Sequence, residues 1–129
     1  MRDRYGQVRF LFVGRLVSEK GFDRVIEAAR YILETQSAKA TLSIYGDGDM
    51  WEAMLASLSG FEGFLDASSR KLPQGGERVV YFGHRSSAEV QKALSGAHYM
   101  LMPSRFLETF GLSALEAISY GVPVIGYKK

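Results

Sequence analysis

Residues 8–35 read VRFLFVGRLVSEKGFDRVIEAARYILET, and this stretch decides the fold. The run from Val8 to Val13 is short and apolar, which predicts a buried strand, and it ends directly at Gly14. From Phe22 to Thr35 apolar residues recur with a helical period, which predicts a helix with one buried face. A strand, a glycine loop and a helix in succession are typical of a parallel sheet covered by helices.

The same alternation continues along the chain. Further strands are predicted at 41–45, 79–82, 99–102 and 124–125, and further helices at 50–58, 87–95 and 110–120. Asp49 and Glu52 resemble a capping box at the start of the second helix. Residues 59–77 are rich in Gly and Ser without a clear period, so we expect a surface excursion there. The sequence therefore predicts a single α/β domain over residues 1–129: a Rossmann-like, doubly wound parallel sheet of about five strands.

Composition excludes several classes of protein. The 129 residues contain no cysteine, which excludes disulfides and thiolate metal sites. A net charge of +2 does not indicate a nucleic-acid surface, and no apolar run approaches the roughly 20 residues of a membrane span. The N-terminus lacks the apolar stretch of a secretory signal. We expect a cytoplasmic domain with no nucleic-acid partner and no membrane span in this segment.

The unusual sequences lie in the loops that follow the predicted strands. They read GRLVSEKG (14–21), GDGD (46–49), GHRSS (83–87) and PSRFLETFG (103–111). Such loops share one edge of a doubly wound sheet, where ligands of this architecture bind. In the first loop Arg15 and Lys20 precede a helix, so two cations and free backbone amides are expected to bind one anion, most naturally a diphosphate. Two solvated surface charges are the alternative.

Two glutamates flank the last predicted helix. Glu116 is the only acidic or basic residue between Gly111 and Tyr120, so its carboxylate needs a partner, a proton or a ligand. Glu108 lies in the loop just before that helix, whose first amides, around Phe110, are predicted to face the same edge of the sheet. Amides suit a phosphate and carboxylates suit hydroxyls, which favours a phosphorylated polyol. The alternative is that Glu108 interacts with the helix dipole and that Glu116 is half exposed.

Two other motifs carry weaker signals. Asp47, Gly48 and Asp49 have the form of a metal-binding DxD motif, but cations with oxygen ligands usually need more carboxylates, so we expect no metal. The same residues do not complete a dinucleotide fingerprint and follow the wrong strand for one. His84 is interpreted as a binding or surface residue rather than a general base.

Four blocks together resemble a known family. The ordered set GRLVSEKGFD, IYGDGD, YFGH and PSRFLETFGLSALEAISYGVPVIG is similar to the C-terminal, donor-binding domain of retaining GT-B glycosyltransferases of the "glycosyl transferases group 1" type. The resemblance runs from about Val8 to Tyr127, apart from 59–77. It implies half of a GT-B fold, with a nucleotide-sugar as donor substrate and no cofactor or metal.

The resemblance also implies roles for individual residues. The catalytic residues would be Arg15 and Lys20, which bind the diphosphate, and Glu108, which contacts hydroxyls of the donor sugar. Glu116 would bind the nucleotide ribose. The remaining donor-binding positions are the loop residues that supply backbone or base contacts: Gly14, Gly83, His84, Thr109, Phe110, Gly111 and Leu112.

The sequence also departs from the family pattern. Thr109 stands where the family usually has Gly, and His98 where it usually has Asp. The final helices and the N-terminal acceptor domain of the family are missing, so we expect a truncated domain that is inactive alone. The acceptor, a glycan or lipid-linked sugar, would reach the site through that domain, and the full-length protein would be either cytoplasmic or peripheral to a membrane. Three alternatives remain open: a nucleotide-sugar-binding module without chemistry, a GT-B nucleotide-sugar epimerase and a plain interaction domain.

Overall fold

The computed structural model of the chain describes residues 8–35 and 40–101. The predicted helix at 110–120, the predicted strand at 124–125 and the predicted glutamate pair lie outside the described residues. The elements in chain order are β1 (Val8–Val13), a 3-10 helix (Ser18–Lys20), α1 (Phe22–Thr35), β2 (Ala40–Tyr45), α2 (Trp51–Leu58), β3 (Phe64–Asp66), β4 (Val79–Gly83), α3 (Ser87–Gly96) and β5 (Tyr99–Met100).

The five strands form one parallel sheet in the order β3-β4-β2-β1-β5. Among the described residues, the first strand, β1, lies inside the sheet. Strands β2, β3 and β4 lie on one side of it, and β5 pairs with its other side. This reversal of direction defines a doubly wound sheet and places a topological switch point beside β1. The predicted fold class, an α/β Rossmann-like parallel sheet, is confirmed.

The main core lies between one face of the sheet and the first two helices. Val8, Phe10 and Phe12 alternate along β1, and they belong to the same buried cluster as Phe22 and Leu33 of α1. The rings of Phe12 and Phe22 lie 5.3 Å apart. Burial of each such side chain contributes about 1.5–3 kcal/mol to folding. The predicted bounds of α1 are confirmed, because its apolar stripe is the face that this core covers.

The predicted surface excursion at 59–77 contains a strand that the sequence did not reveal. Residues 64–66 form β3 at the edge of the sheet, where all three are only partly buried. Three residues are too few to show an alternating pattern, and the strand is held instead by its neighbour β4. The Ala67 amide donates to the Tyr81 carbonyl at 2.7 Å and the Arg78 amide to the Gly63 carbonyl at 2.8 Å. The rest of the segment is mostly exposed, with Leu72 82% exposed.

The predicted capping box at the start of α2 is wrong. The cap position is Met50, and no side chain caps the helix there. The Met50 amide instead donates to the Leu16 carbonyl at 2.8 Å, and the Trp51 amide donates to the Gly48 carbonyl at 3.2 Å. Contact with the loop after β1 therefore sets the start of the helix, so Asp49 is not needed as a cap.

His98 has a structural role at the start of β5. It is buried, its Nδ1 accepts the Arg9 amide at 2.9 Å, and its own amide donates to the Arg9 carbonyl at 2.8 Å. An acceptor nitrogen requires that the proton of the neutral ring lie on Nε2. This departure from the family pattern therefore preserves a hydrogen-bond acceptor at the junction of β1 and β5.

Candidate functional site

Three loops meet at the carboxyl-end edge of the sheet. They follow β1 (residues 14–21), β2 (46–50) and β4 (83–86). The Gly14 amide donates to the Tyr45 carbonyl at 3.0 Å, and the Gly46 amide donates to the Gly83 carbonyl at 2.9 Å. Backbone hydrogen bonds therefore tie the three loops together in the order of their strands.

The first two loops are in close backbone contact. The Leu16 amide donates to the Asp47 carbonyl at 3.0 Å, and the Leu16 side chain is fully buried. A Cβ on Gly46 would lie 1.8 Å from the Gly14 carbonyl oxygen, and a Cβ on Gly48 would lie 2.6 Å from the Leu16 oxygen. Gly46 also has a φ of +135°, which side chains rarely adopt. The GDGD motif is thus explained by the packing of two loops.

A buried tyrosine supports the same contact. The Tyr81 hydroxyl donates to the Gly46 carbonyl at 2.8 Å. Burial, together with the negative charges of Asp47 and Asp66, raises the pKa of Tyr81 to about 12. The phenol therefore stays protonated at neutral pH and remains a donor. The sequence offered no signal for this role, because Tyr81 looks like any other aromatic residue of a buried strand.

Arg15 and Lys20 are both exposed on the loop after β1. Neither forms an ion pair or a side-chain hydrogen bond within the described residues. Buried Leu16 anchors the backbone between them, so the two cations extend from a fixed support. Although Glu19 lies in the same loop, two exposed cations without an ion-pair partner in the described residues make this loop a candidate anion site.

The backbone amides beside these cations do not contribute as predicted. The amides of Lys20 and Phe22 both donate to the Val17 carbonyl, at 3.1 and 3.3 Å. The Gly21 amide donates to the Ser18 carbonyl, and the Arg24 amide donates to the Gly21 carbonyl. The expectation of free amides is therefore wrong for these four residues, because a 3-10 turn precedes α1 and uses them. These four amides are therefore not available to an anion bound beside Arg15 and Lys20.

The loop after β4 carries the other predicted binding residues that the structure describes. Gly83 has a φ of +74°, and a Cβ there would lie 3.0 Å from the Ser68 Cβ. His84 is exposed. Because β2 lies between β1 and β4, this loop is about 10 Å from the loop of Arg15 and Lys20. The described part of the site thus has a cationic end and a glycine-histidine end.

The remaining predicted ligands cannot be placed in this arrangement. Glu108, Thr109, Phe110, Gly111, Leu112 and Glu116 lie outside the described residues, and their roles stay predictions. In the described ranges, 8–35 and 40–101, no group of three or more His, Cys, Asp or Glu side chains could hold a metal ion. Within those same ranges no helix is long and apolar enough to cross a membrane.

This architecture, a doubly wound parallel sheet with its loops gathered at one edge, is that of a Rossmann-like domain of GT-B glycosyltransferases. Residues 4–129 match the family model "Glycosyl transferases group 1", and the chain belongs to that family.

Curated relatives agree with this assignment. The chain is 35% identical over 115 residues to an uncharacterized glycosyltransferase of Methanocaldococcus jannaschii, which covers 89% of this chain and 26% of the relative. It is also 35% identical over 113 residues to a glycogen synthase of Hydrogenovibrio crunogenus, covering 88% of this chain and 20% of the relative. The chain therefore spans about a fifth to a quarter of these proteins.

A solved structure shows the same fold. The lipopolysaccharide outer core galactosyltransferase WaaB, in its apo form, aligns with a TM-score of 0.50 at 29% sequence identity. The alignment covers 94% of this chain and 30% of that protein.

The contact between the first two loops predicts a severe effect of Gly46→Ala. The added Cβ meets the Gly14 carbonyl and strains a left-handed backbone, so we expect a loss of about 3 kcal/mol or more in the free energy of unfolding. Urea denaturation measures this loss. Gly60→Ala is the matched control, because nothing lies within 4 Å of its Cβ, and its effect should stay within about 0.5 kcal/mol. Equal stability of the two variants would contradict the close contact.

The Tyr81 hydrogen bond predicts both a stability loss and a pH effect. Tyr81→Phe removes the donor to the partly buried Gly46 carbonyl, which should cost about 0.5–1.5 kcal/mol at pH 8. The folded pKa of about 12 exceeds the ordinary value of 10.0. The contribution of Tyr81 to the free energy of unfolding is therefore fully present below pH 10 and declines as the pH rises from 10 toward 12. The variant should show a shallower decline. Urea titrations at pH 8 and 11 compare the two proteins, and parallel losses would refute the assignment.

Proposed function

We propose that the chain is the nucleotide-sugar-binding domain of a retaining glycosyltransferase that transfers a hexosyl-type group to an acceptor hydroxyl. One observation carries this proposal: in a member of the group 1 family, Arg15 and Lys20 are exposed and have no ion-pair partner among the described residues, on a loop held at the switch-point edge of the sheet. Each hydrogen bond from such a cation to a phosphate oxygen contributes about 1.5–3 kcal/mol. A diphosphate with two negative charges or more matches the two cations.

The chemistry follows from where charge develops. When the glycosidic bond of the donor breaks, negative charge grows on the departing diphosphate, and Arg15 and Lys20 stabilise it. The acceptor hydroxyl attacks the anomeric carbon on the face that the diphosphate leaves and passes its proton to an oxygen of the departing diphosphate, so the configuration is retained. In this proposal the two cations replace a metal ion, and no protein nucleophile or cofactor is required.

The rest of the donor is assigned by the family resemblance. Gly83 and His84 lie beside the base, at the end of the described site opposite the cations. Glu116 accepts hydrogen bonds from the ribose, and Glu108 accepts them from hydroxyls of the sugar. Residues 109–112, between the two glutamates, supply backbone contacts to the donor.

The proposal also covers the acceptor and the cellular location of the reaction. The names of the relatives, a glycogen synthase and a lipopolysaccharide galactosyltransferase, support a hexosyl donor and a glycan or lipid-linked acceptor. Because the chain spans only part of those relatives, we assign the acceptor site to a second domain of the complete enzyme. We also propose that the reaction takes place in the cytoplasm.

The diphosphate assignment predicts that Lys20→Ala weakens nucleotide binding. Calorimetric titration of the purified chain with UDP, GDP and ADP identifies the base, and the variant should then bind that nucleotide roughly tenfold more weakly, because one charge-assisted hydrogen bond is lost. Lys71→Ala removes the same charge from the exposed connection between β3 and β4 and should leave the affinity unchanged. If both lysine variants bind as tightly as wild type, Lys20 does not contact the diphosphate.

The ribose assignment predicts a different pattern for Glu116→Ala. Loss of a carboxylate that binds ribose hydroxyls should weaken the nucleoside diphosphate by roughly tenfold and leave inorganic pyrophosphate unaffected. The same titrations measure both ligands, with Lys20→Ala as the comparison that weakens both. A Glu116 variant that binds the nucleotide normally would support the interpretation of Glu116 as an ordinary helix residue.

A further inference from the structure

Arg85 makes more polar contacts than any cation of the described donor-site loops. Its side chain is only 11% exposed. Its Nε donates to the Phe82 carbonyl at 2.9 Å, its Nη2 to the Ala67 carbonyl at 2.9 Å, and its Nη1 to Glu89 Oε2 at 3.2 Å. The guanidinium also lies 5.2 Å from the centroid of the Phe82 ring. These contacts join the ends of β3 and β4 to the first turn of α3.

The Phe82 carbonyl is available because the strand is irregular there. Ile44 pairs with Tyr81 and Tyr45 pairs with Gly83, so Phe82 is an extra residue in β4. Such a bulge takes its carbonyl out of the regular ladder, and bulges are common next to functional sites. The bulge turns the chain at the point where Gly83 and His84 begin the loop, and Arg85 supplies the donor that the displaced carbonyl needs.

The carboxylate that completes these contacts is itself fixed. Glu89 and Ser86 form a capping box at the start of α3, and Glu89 also pairs with Arg70 at 3.1 Å. The Ser86 amide, then the Ser86 hydroxyl, Arg70 and Arg85 hold the pKa of Glu89 below its usual range, so it is ionised at neutral pH. Arg85 therefore has a counter-charge, shared with Arg70, at the first turn of α3.

Arg70 is the second ion-pair partner of Glu89 and serves as a comparison for Arg85. It binds the same oxygen, but its side chain is 65% exposed and forms no hydrogen bond with the Phe82 or Ala67 carbonyls. An exposed ion pair of this kind has little effect on the structure. Arg85 differs because its three donors reach carbonyl and carboxylate groups on both sides of Gly83 and His84.

We propose that Arg85 is a positioning residue for the base of the nucleotide: it holds the loop of Gly83 and His84 in the conformation that accepts the base. This inference rests on the proposed function, which assigns that loop to the base. Arg85 acts through the loop and is not a ligand itself, because each of its three nitrogens already donates to a protein group and its side chain is only 11% exposed. Its loss should therefore affect the nucleoside end of the donor and spare the diphosphate end.

The test compares Arg85→Gln with Arg70→Gln in the purified chain. Calorimetry measures the binding of the preferred nucleoside diphosphate and of inorganic pyrophosphate, and hydrogen exchange measures protection of the amides from Gly83 to Ser86 without ligand. We expect Arg85→Gln to weaken the nucleotide roughly tenfold, leave pyrophosphate affinity within about twofold and increase exchange in the loop. Arg70→Gln should change none of the three. Arg85→Lys keeps the charge and should recover part of the affinity, and it decides the question if Arg85→Gln does not fold.

The outcomes separate this inference from the proposed function. Equal loss of affinity for nucleotide and pyrophosphate would make Arg85 a residue of general stability, and unchanged nucleotide affinity would remove its role altogether. If the wild-type chain binds none of the three nucleotides at millimolar concentration, the proposed function fails and the role of Arg85 in base binding fails with it. Loop exchange that rises only in the Arg85 variants would then still identify Arg85 as the residue that holds the loop.

Discussion

The close approach of the loops after β1 and β2 is the constraint on which the candidate site depends. With a Cβ on Gly46 placed 1.8 Å from the Gly14 oxygen, only glycine allows the two backbones to lie side by side. That contact lets Leu16 bond to the second loop through both its amide and its carbonyl. The Leu16 side chain is buried as a result, and the flanking cations are turned outward. A larger residue at Gly46 would disturb the loop of Arg15 and Lys20 and the start of α2 together.

At the β4 end of the site, side-chain hydrogen bonds rather than close backbone contacts at glycines hold the loops in place. The Tyr81 hydroxyl donates a hydrogen bond to the Gly46 carbonyl, and the Arg85 Nε donates one to the Phe82 carbonyl at the bulge. Both side chains are largely withdrawn from solvent, and both satisfy carbonyls that the regular strand ladder leaves without a donor. Polar groups buried in this way are expensive unless paired, which makes the loop conformations specific. The site is therefore rigid in its backbone, while Arg15, Lys20 and His84 remain exposed on it.

The sequence predicted those features that depend on long apolar patterns. The helix from Phe22 to Thr35 shows its period over four turns, and β1 is a continuous apolar run, so both were placed with correct bounds. Strand β3 was missed because three residues at an edge are held by β4 rather than by their own propensity. The cap at Asp49 was wrong for a related reason: the start of α2 is set by a contact with Leu16, more than thirty residues away in the chain. Local patterns do not report such contacts.

The sequence likewise predicted some features of the candidate site and missed others. Its location at the carboxyl-end edge and its two exposed cations followed from strand order and charge, because both are properties of the chain pattern. The supporting residues did not, since a tyrosine in a strand and an arginine in a loop have many possible partners. For Arg85 a signal did exist: it follows the glycine and histidine of the loop and precedes a Ser-x-x-Glu capping box, so a cation there must lie beside the helix carboxylate. Glu89 is an ion-pair partner of Arg85, whereas Arg15 and Lys20 have no ion-pair partner in the described residues, so the unpaired cations of the described loops lie at the β1 end of the site. In the proposed function, the diphosphate end of the donor would therefore lie beside β1 and the base beside β4.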